Sequence, residues 1–278
     1  ETLGGELVSY RDERGLEYIW GGDPAYWPGR NPLLFPIVGM LKEGKIRFDG
    51  REYAMERHGF ARRREFTPAA RGEDWVRLEL RESAETLALY PYSFRLAVEQ
   101  RLTDTGFSTA VTVANPGEGP LPFCLGAHTG FRCPLEAGER FEDYELVFPE
   151  RESCPTLLLR DGLLDRPAAL PCLEDTDTLP LDYRWFDALD TLIFEGLRSR
   201  SVTLRSRKSG RGVRVSFDGF PMLAFWTMPG KKAPYLCIEP WHGCSAGTGE
   251  GEEFTSKAHC IVLAPGESRT LAYRADTL

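Results

Sequence analysis

Sustained helical periodicity is missing from this 278-residue chain: no stretch keeps a 3.6-residue apolar repeat for three turns, which excludes long helices. No run of about 18 apolar residues occurs, so no spanning helix is expected, and Glu1 to Tyr10 lack the basic-then-apolar order of a secretory leader. The expectation is a cytoplasmic protein with no membrane partner. Positive charge is in the minority, 34 Lys and Arg against 42 Asp and Glu, and a net charge of −8 excludes the broad basic face of a nucleic-acid binder. The seven cysteines contain no C-x-x-C pair and read as reduced, mostly buried thiols. Histidine is scarce, four in all, and no two have the spacing of ligands on one element, so no metal site is expected. Repeats, linkers and low-complexity tracts are also lacking, which leaves residues 1–278 as a single domain.

What the chain does contain is strand pattern. Polar and apolar residues alternate in Val76 to Leu80, Val202 to Leu204 and Val213 to Phe217, the period of half-buried strands. The continuous apolar runs Met222 to Trp226 and Tyr235 to Ile238 suit central strands buried on both faces. With 28 Gly and 20 Pro punctuating the chain, the architecture expected is all-β, a large antiparallel β-sandwich. Two segments break the rhythm. Gly21 to Pro32 is rich in Gly, Pro and aromatics and reads as a rigid loop. Leu159 to Tyr183 is acidic and rich in Pro and Leu, and reads as a long flap over one end of the sandwich.

Few residues are candidates for chemistry. His58 lies in Arg57-His58-Gly59-Phe60-Ala61-Arg62, a turn whose flanking cations offer hydrogen-bond donors to a polyol or an anion. His128 is flanked by Gly126 and Gly130, which let a ligand approach the backbone closely. Glu239 ends the apolar run Tyr235 to Ile238, where partial desolvation raises a carboxyl pKa and makes a better base near neutrality. Each also has a purely structural alternative, a core histidine or a strand-end glutamate reaching solvent. The six tryptophans are core residues, or flat faces on which the C–H side of a pyranose stacks.

Taken in order, Gly4-Gly5-Glu6-Leu7, Glu17-Tyr18-Ile19-Trp20, Gly22-Asp23-Pro24, Pro32 to Gly39, His58-Gly59-Phe60-Ala61-Arg62, Gly126 with His128, Asp190 and Glu239-Pro240-Trp241 resemble the aldose 1-epimerase (galactose mutarotase-like) superfamily, in its LacX-like branch. That resemblance implies an antiparallel β-sandwich with an open cleft for a monosaccharide, no cofactor, and a monomer or homodimer. It implies His128 as catalytic acid and Glu239 as catalytic base. His58 and Arg62 are then substrate-binding residues, Asp190 holds sugar hydroxyls with Asp187 close enough to compete for that role, and Arg30 matches a binding arginine. True galactose mutarotases carry a longer His-Gly-Gly signature and an Asn-His pair where this chain has His58-Gly59-Phe60 and Ala127-His128. The His-Gly-Phe-Ala-Arg segment also appears in hexose-6-phosphate epimerases, which keeps a phosphorylated sugar open.

Mutarotation needs a proton removed from the anomeric hydroxyl and one delivered to the ring oxygen, so that the ring opens and recloses as the other anomer. An acid and a base suffice, expected here on opposite sides of the sugar, a sugar's width apart. The substrate expected on charge grounds is a neutral aldose, since a dianion would need two of the arginines around His58 to converge. A sugar-binding protein without turnover keeps the cleft but has no need of an acid and a base. Glycoside hydrolysis would want two carboxylates, and one strong candidate is visible.

Overall fold

The computed structural model describes residues 1–278. Strands take up 49% of the chain and helices 8%, which makes the class all-β. No helix is long and apolar enough to cross a membrane. Every pairing between the strands is antiparallel, and fifteen strands form one continuous sheet that has two halves. The first half places Leu33–Leu34, Leu125–Ala127, Tyr235–His242, Met222–Trp226 and Thr191–Glu195 side by side, with Thr129–Arg132 also on Tyr235–His242. The second half runs from Ser201–Ser206 to Thr67–Arg71. The long strand Tyr144–Arg160 links them, pairing Leu157 with Ile193 of the first and Tyr144 to Val147 with the Ser201–Ser206 strand of the second.

Alternation explains how the halves pack. From Leu96 to Gln100 in the strand Arg95–Thr103 every second residue is buried, and Leu96 and Val98 join one core that also holds Leu223, Phe225, Leu236 and Ile238 from the other half. The apolar inner faces therefore meet. Met222–Trp226 and Tyr235–His242 are adjacent and buried almost throughout, as their continuous apolar runs lead one to expect.

Leu159 to Tyr183 is not a loose flap. Leu163–Pro180 is a strand paired along Tyr144–Arg160, and of this hairpin Leu159 and Gly162, at its tip, reach the cleft. Its prolines hid it. Pro167 and Pro171 cannot donate to a ladder, and the hairpin tolerates them because it hangs off the side of the main strand path and is broken by register shifts. Glu239 is likewise not at a strand end but inside Tyr235–His242. All seven cysteines are free and five are buried.

Candidate active site

Two strand alignments bring the chemistry together. Thr129 pairs with Ile238 and Gly126 with Trp241, and both pairings place residue 128 opposite residue 239. The ladder is interrupted at that point, where Pro240 has no N–H to give. Side chains opposed across a ladder approach closely, and His128 Nε2 lies 3.4 Å from Glu239 Oε1. Trp226 and Ala224, opposite Cys237 and Glu239 on the next strand, share this face.

The pair is dry. Glu239 is 1% exposed and His128 8%. Trp27 stacks on the His128 ring with centroids 4.8 Å apart, and Trp226 meets its edge at 5.5 Å. The Gly21 to Pro32 loop that carries Trp27 is fixed from below: Asn31 accepts from Thr129 and Tyr273 at 2.7 and 3.0 Å, and Trp20 Nε1 donates to the Trp27 carbonyl at 2.8 Å. Burial pushes the Glu239 carboxyl well above the usual carboxylate range, against a 3.2 Å hydrogen bond from Trp241 Nε1 that favours the charged form, with Asp190 adding to the rise. Burial pulls the His128 imidazolium down to about 3, and the Arg62 and Arg57 charges add to it. Burial thus disfavours charge on either group, and a single proton on the pair, carried by the carboxyl, is the arrangement that leaves both neutral.

His58 meets the His128 ring edge-on at 5.7 Å. Its turn is held against the Phe35 to Gly39 segment: Phe60 and Ala61 N–H groups donate to the Phe35 carbonyl, and His58 N–H donates to that of Gly39. Gly59, at φ +70°, is required there, because a Cβ would lie 2.2 Å from the Phe35 oxygen. The Gly39 N–H donates to His58 Nδ1 at 3.1 Å, so Nδ1 is an acceptor and the ring proton sits on Nε2. Burial, then the charges of His128, Arg62 and Arg57, hold the His58 imidazolium well below its ordinary value. His58 is thus a neutral donor, suited to binding rather than proton exchange.

Between these groups lies a cavity of about 240 Å³, lined by His58, Arg62, His128, Asp190 and Glu239 among others. Five of the six site residues read from the sequence meet there. Arg30 does not. Its guanidinium folds back on the Gly21 carbonyl and pairs with Glu1, while its backbone N–H is held by Glu6, so it braces the Trp27 loop. Asp190 caps the helix Tyr183–Leu189 at φ 63°, ψ −63°, a strained conformation for a non-glycine residue, and its carboxylate accepts from Thr191 Oγ1 at 2.8 Å. Asp187 instead accepts from the Gly230 N–H and lines no part of the cavity.

His128 and Glu239 are also not a sugar's width apart: the register sets them opposite one another on neighbouring strands, which brings their side chains into contact. Sequence reading missed Thr191 as a lining residue, and it held Arg57 only as a cation flanking His58 and Trp27 and Trp226 only among six tryptophans. Arg57 sits one position before His58, and its adjacency was the available signal. Cys237 was missed as well. Its thiol, His128 and Glu239 have donor atoms within 4.8 Å of one another, a three-point set of the kind a thiophilic cation takes, although burial keeps both the thiol and the carboxyl protonated. Ligand spacing along the sequence cannot show a set assembled from two strands.

The sequence profile of the aldose 1-epimerase family matches residues 1–275. The chain belongs to the aldose 1-epimerase family. The plasmid and chromosomal LacX proteins of Lactococcus lactis subsp. lactis are each 41% identical to it over 281 aligned residues, covering 98% of this chain and 93% of theirs. A galactose mutarotase related enzyme from Lactobacillus acidophilus superposes with a TM-score of 0.95 at 27% identity, covering all of this chain and 93% of that one. A galactose mutarotase-like protein from Lactobacillus casei gives 0.91 at 29%, covering 100% and 95%.

Proposed function

We propose that this family member is an aldose 1-epimerase, an isomerase that interconverts the α and β anomers of a monosaccharide by ring opening, with Glu239 as base and His128 as acid. The observation that carries this reading is the buried His128–Glu239 contact at 3.4 Å facing a sugar-sized cavity. Sugar hydroxyls entering the cleft supply hydrogen bonds that favour the charged form of the pair, and the shared proton passes to His128. The Glu239 carboxylate then takes the C1 hydroxyl proton while His128 Nε2 gives its proton to the ring oxygen. The C1–O5 bond breaks, the aldehyde turns about C1–C2, and reclosure reverses both transfers. His58 Nε2–H, Arg62 and the Asp190 carboxylate hold the hydroxyl array in register. A non-catalytic sugar binder has no use for an acid and a base kept dry and in contact.

The substrate class first expected is a free aldose. One observation favours a second reading, a sugar carrying an anionic group. Of the four arginines around His58, Arg63 pairs with Glu56 and Arg64 with Glu85, but Arg57 and Arg62 line the cavity with no carboxylate within ion-pair distance. Arg62 Nε is buried without a partner. Anomer exchange followed by NMR over free aldoses and their 6-phosphates tests both readings. Catalysed exchange of either set supports the epimerase, and none on any sugar refutes it. A kcat/KM at least about tenfold higher for phosphates, falling as salt is raised and lost in Arg57→Ala, decides for the anionic sugar.

A further inference from the structure

Away from the cleft, the strands Leu121–Phe123 and Ile261–Leu263 pair with Phe123 opposite Ile261 and Leu121 opposite Leu263. One further step along this ladder sets Cys124 opposite Cys260. Directly opposed residues of an antiparallel pair have Cα atoms about 4.5–5.5 Å apart, inside the roughly 4.4–6.8 Å window of a disulfide. Cys124 is fully buried, whereas Cys260 is partly exposed. Close by, the Lys257 ammonium is completely buried and bound to Glu250 at 3.2 Å, an unusual cation to find beside thiols. We propose that Cys124 and Cys260 form a redox-closable dithiol, a disulfide site in which Cys260 is the attacking sulfur and Cys124 the resolving one.

The electrostatics agree with that assignment. Contact with the Cys124 thiol, against the effect of burial and with help from Lys257, holds the Cys260 thiol below its ordinary value, while the same contact and burial push that of Cys124 well up. The co-reactant is a small disulfide, RSSR. The Cys260 thiolate attacks one of its sulfurs, the S–S bond breaks, and one RS⁻ leaves and takes up a proton. Cys124 then gives up its proton and attacks Cys260 Sγ, expelling the second RS⁻. Two protein thiols are oxidised and RSSR is reduced to two RSH. The bridge would tie the start of the ladder that carries His128 to the segment that follows the catalytic strand, which includes Ser245 at the cleft, hydrogen-bonded to the Met40 N–H at 3.0 Å.

The test titrates the native protein with oxidised glutathione, then alkylates the remaining thiols and maps peptides by mass. The expected product is one intramolecular Cys124–Cys260 disulfide, reversed by dithiothreitol, absent in Cys260→Ser and in Cys260→Ala, and still formed in Cys154→Ser. Circular dichroism checks that each variant is folded, and the wild-type map stands even where a variant is not. Pairing of either cysteine with Cys244, a glutathione adduct that persists on Cys260, or a full set of free thiols after prolonged exposure overturns the proposal.

Discussion

Burial shifts Glu239 and His128 in opposite directions, and the consequences for stability have opposite signs. The folded value of His128, about 3, lies below its unfolded 6.5, so its contribution to stability is complete above pH 6.5 and is lost as pH falls toward 3. Glu239 is raised above 4.5, so its contribution is complete below that value and is lost as pH climbs through the raised one. His128→Asn should therefore lose less Tm than wild type between pH 6.5 and 4. Glu239→Gln should gain on wild type as pH rises from 5 toward 8. Thermal melts across this range check both, and parallel curves for variant and wild type would contradict the buried, uncharged pair. His58 belongs to a different role. As a neutral donor anchored through Nδ1, it should raise KM more than it lowers kcat when replaced by Ala, which steady-state kinetics on the best sugar reads directly.

At the level of elements, the cleft is a product of strand register and of one turn. Gly59→Ala forces a Cβ into the Phe35 carbonyl at a positive φ, and should cost about 2–4 kcal/mol in denaturant unfolding while raising KM through the displaced His58. Unchanged stability would mean that the turn does not position His58. This turn was legible in the sequence because glycine beside histidine and arginine has a local meaning. The strands under the candidate site were legible as well, since Tyr235 to Ile238 and Met222 to Trp226 are too uniformly apolar for an edge. The Leu163–Pro180 strand was not, because its prolines and acidic residues are loop signals wherever a hairpin does not rescue them. Arg30 was misread for a related reason: from sequence, a loop's arginine and its tryptophan are equally good candidates to reach inward, and only the packing on Thr129 and Tyr273 sends Trp27 in and Arg30 out.

On the scale of the whole molecule, composition conveyed the all-β class but not the way Tyr144–Arg160 makes two halves one sheet, since pairing between distant strands leaves no local trace. Nor could it place His128 beside Glu239, because that contact arises from a register shared by strands about 110 positions apart in the chain. The epimerase fold alone does not establish turnover; on the proposed reading it is the His128–Glu239 pair that does the chemistry. That pair should give a bell-shaped kcat/KM profile, falling at low pH as it gains a second proton and at high pH as it loses the only one. A flat profile, with exchange still catalysed, would place the proton transfers elsewhere. The most direct measurement is anomer exchange by NMR on folded Glu239→Gln, with its best sugar at saturation. The account predicts a rate at least about 10²-fold below wild type with sugar affinity retained, and a rate within about twofold of wild type would contradict it.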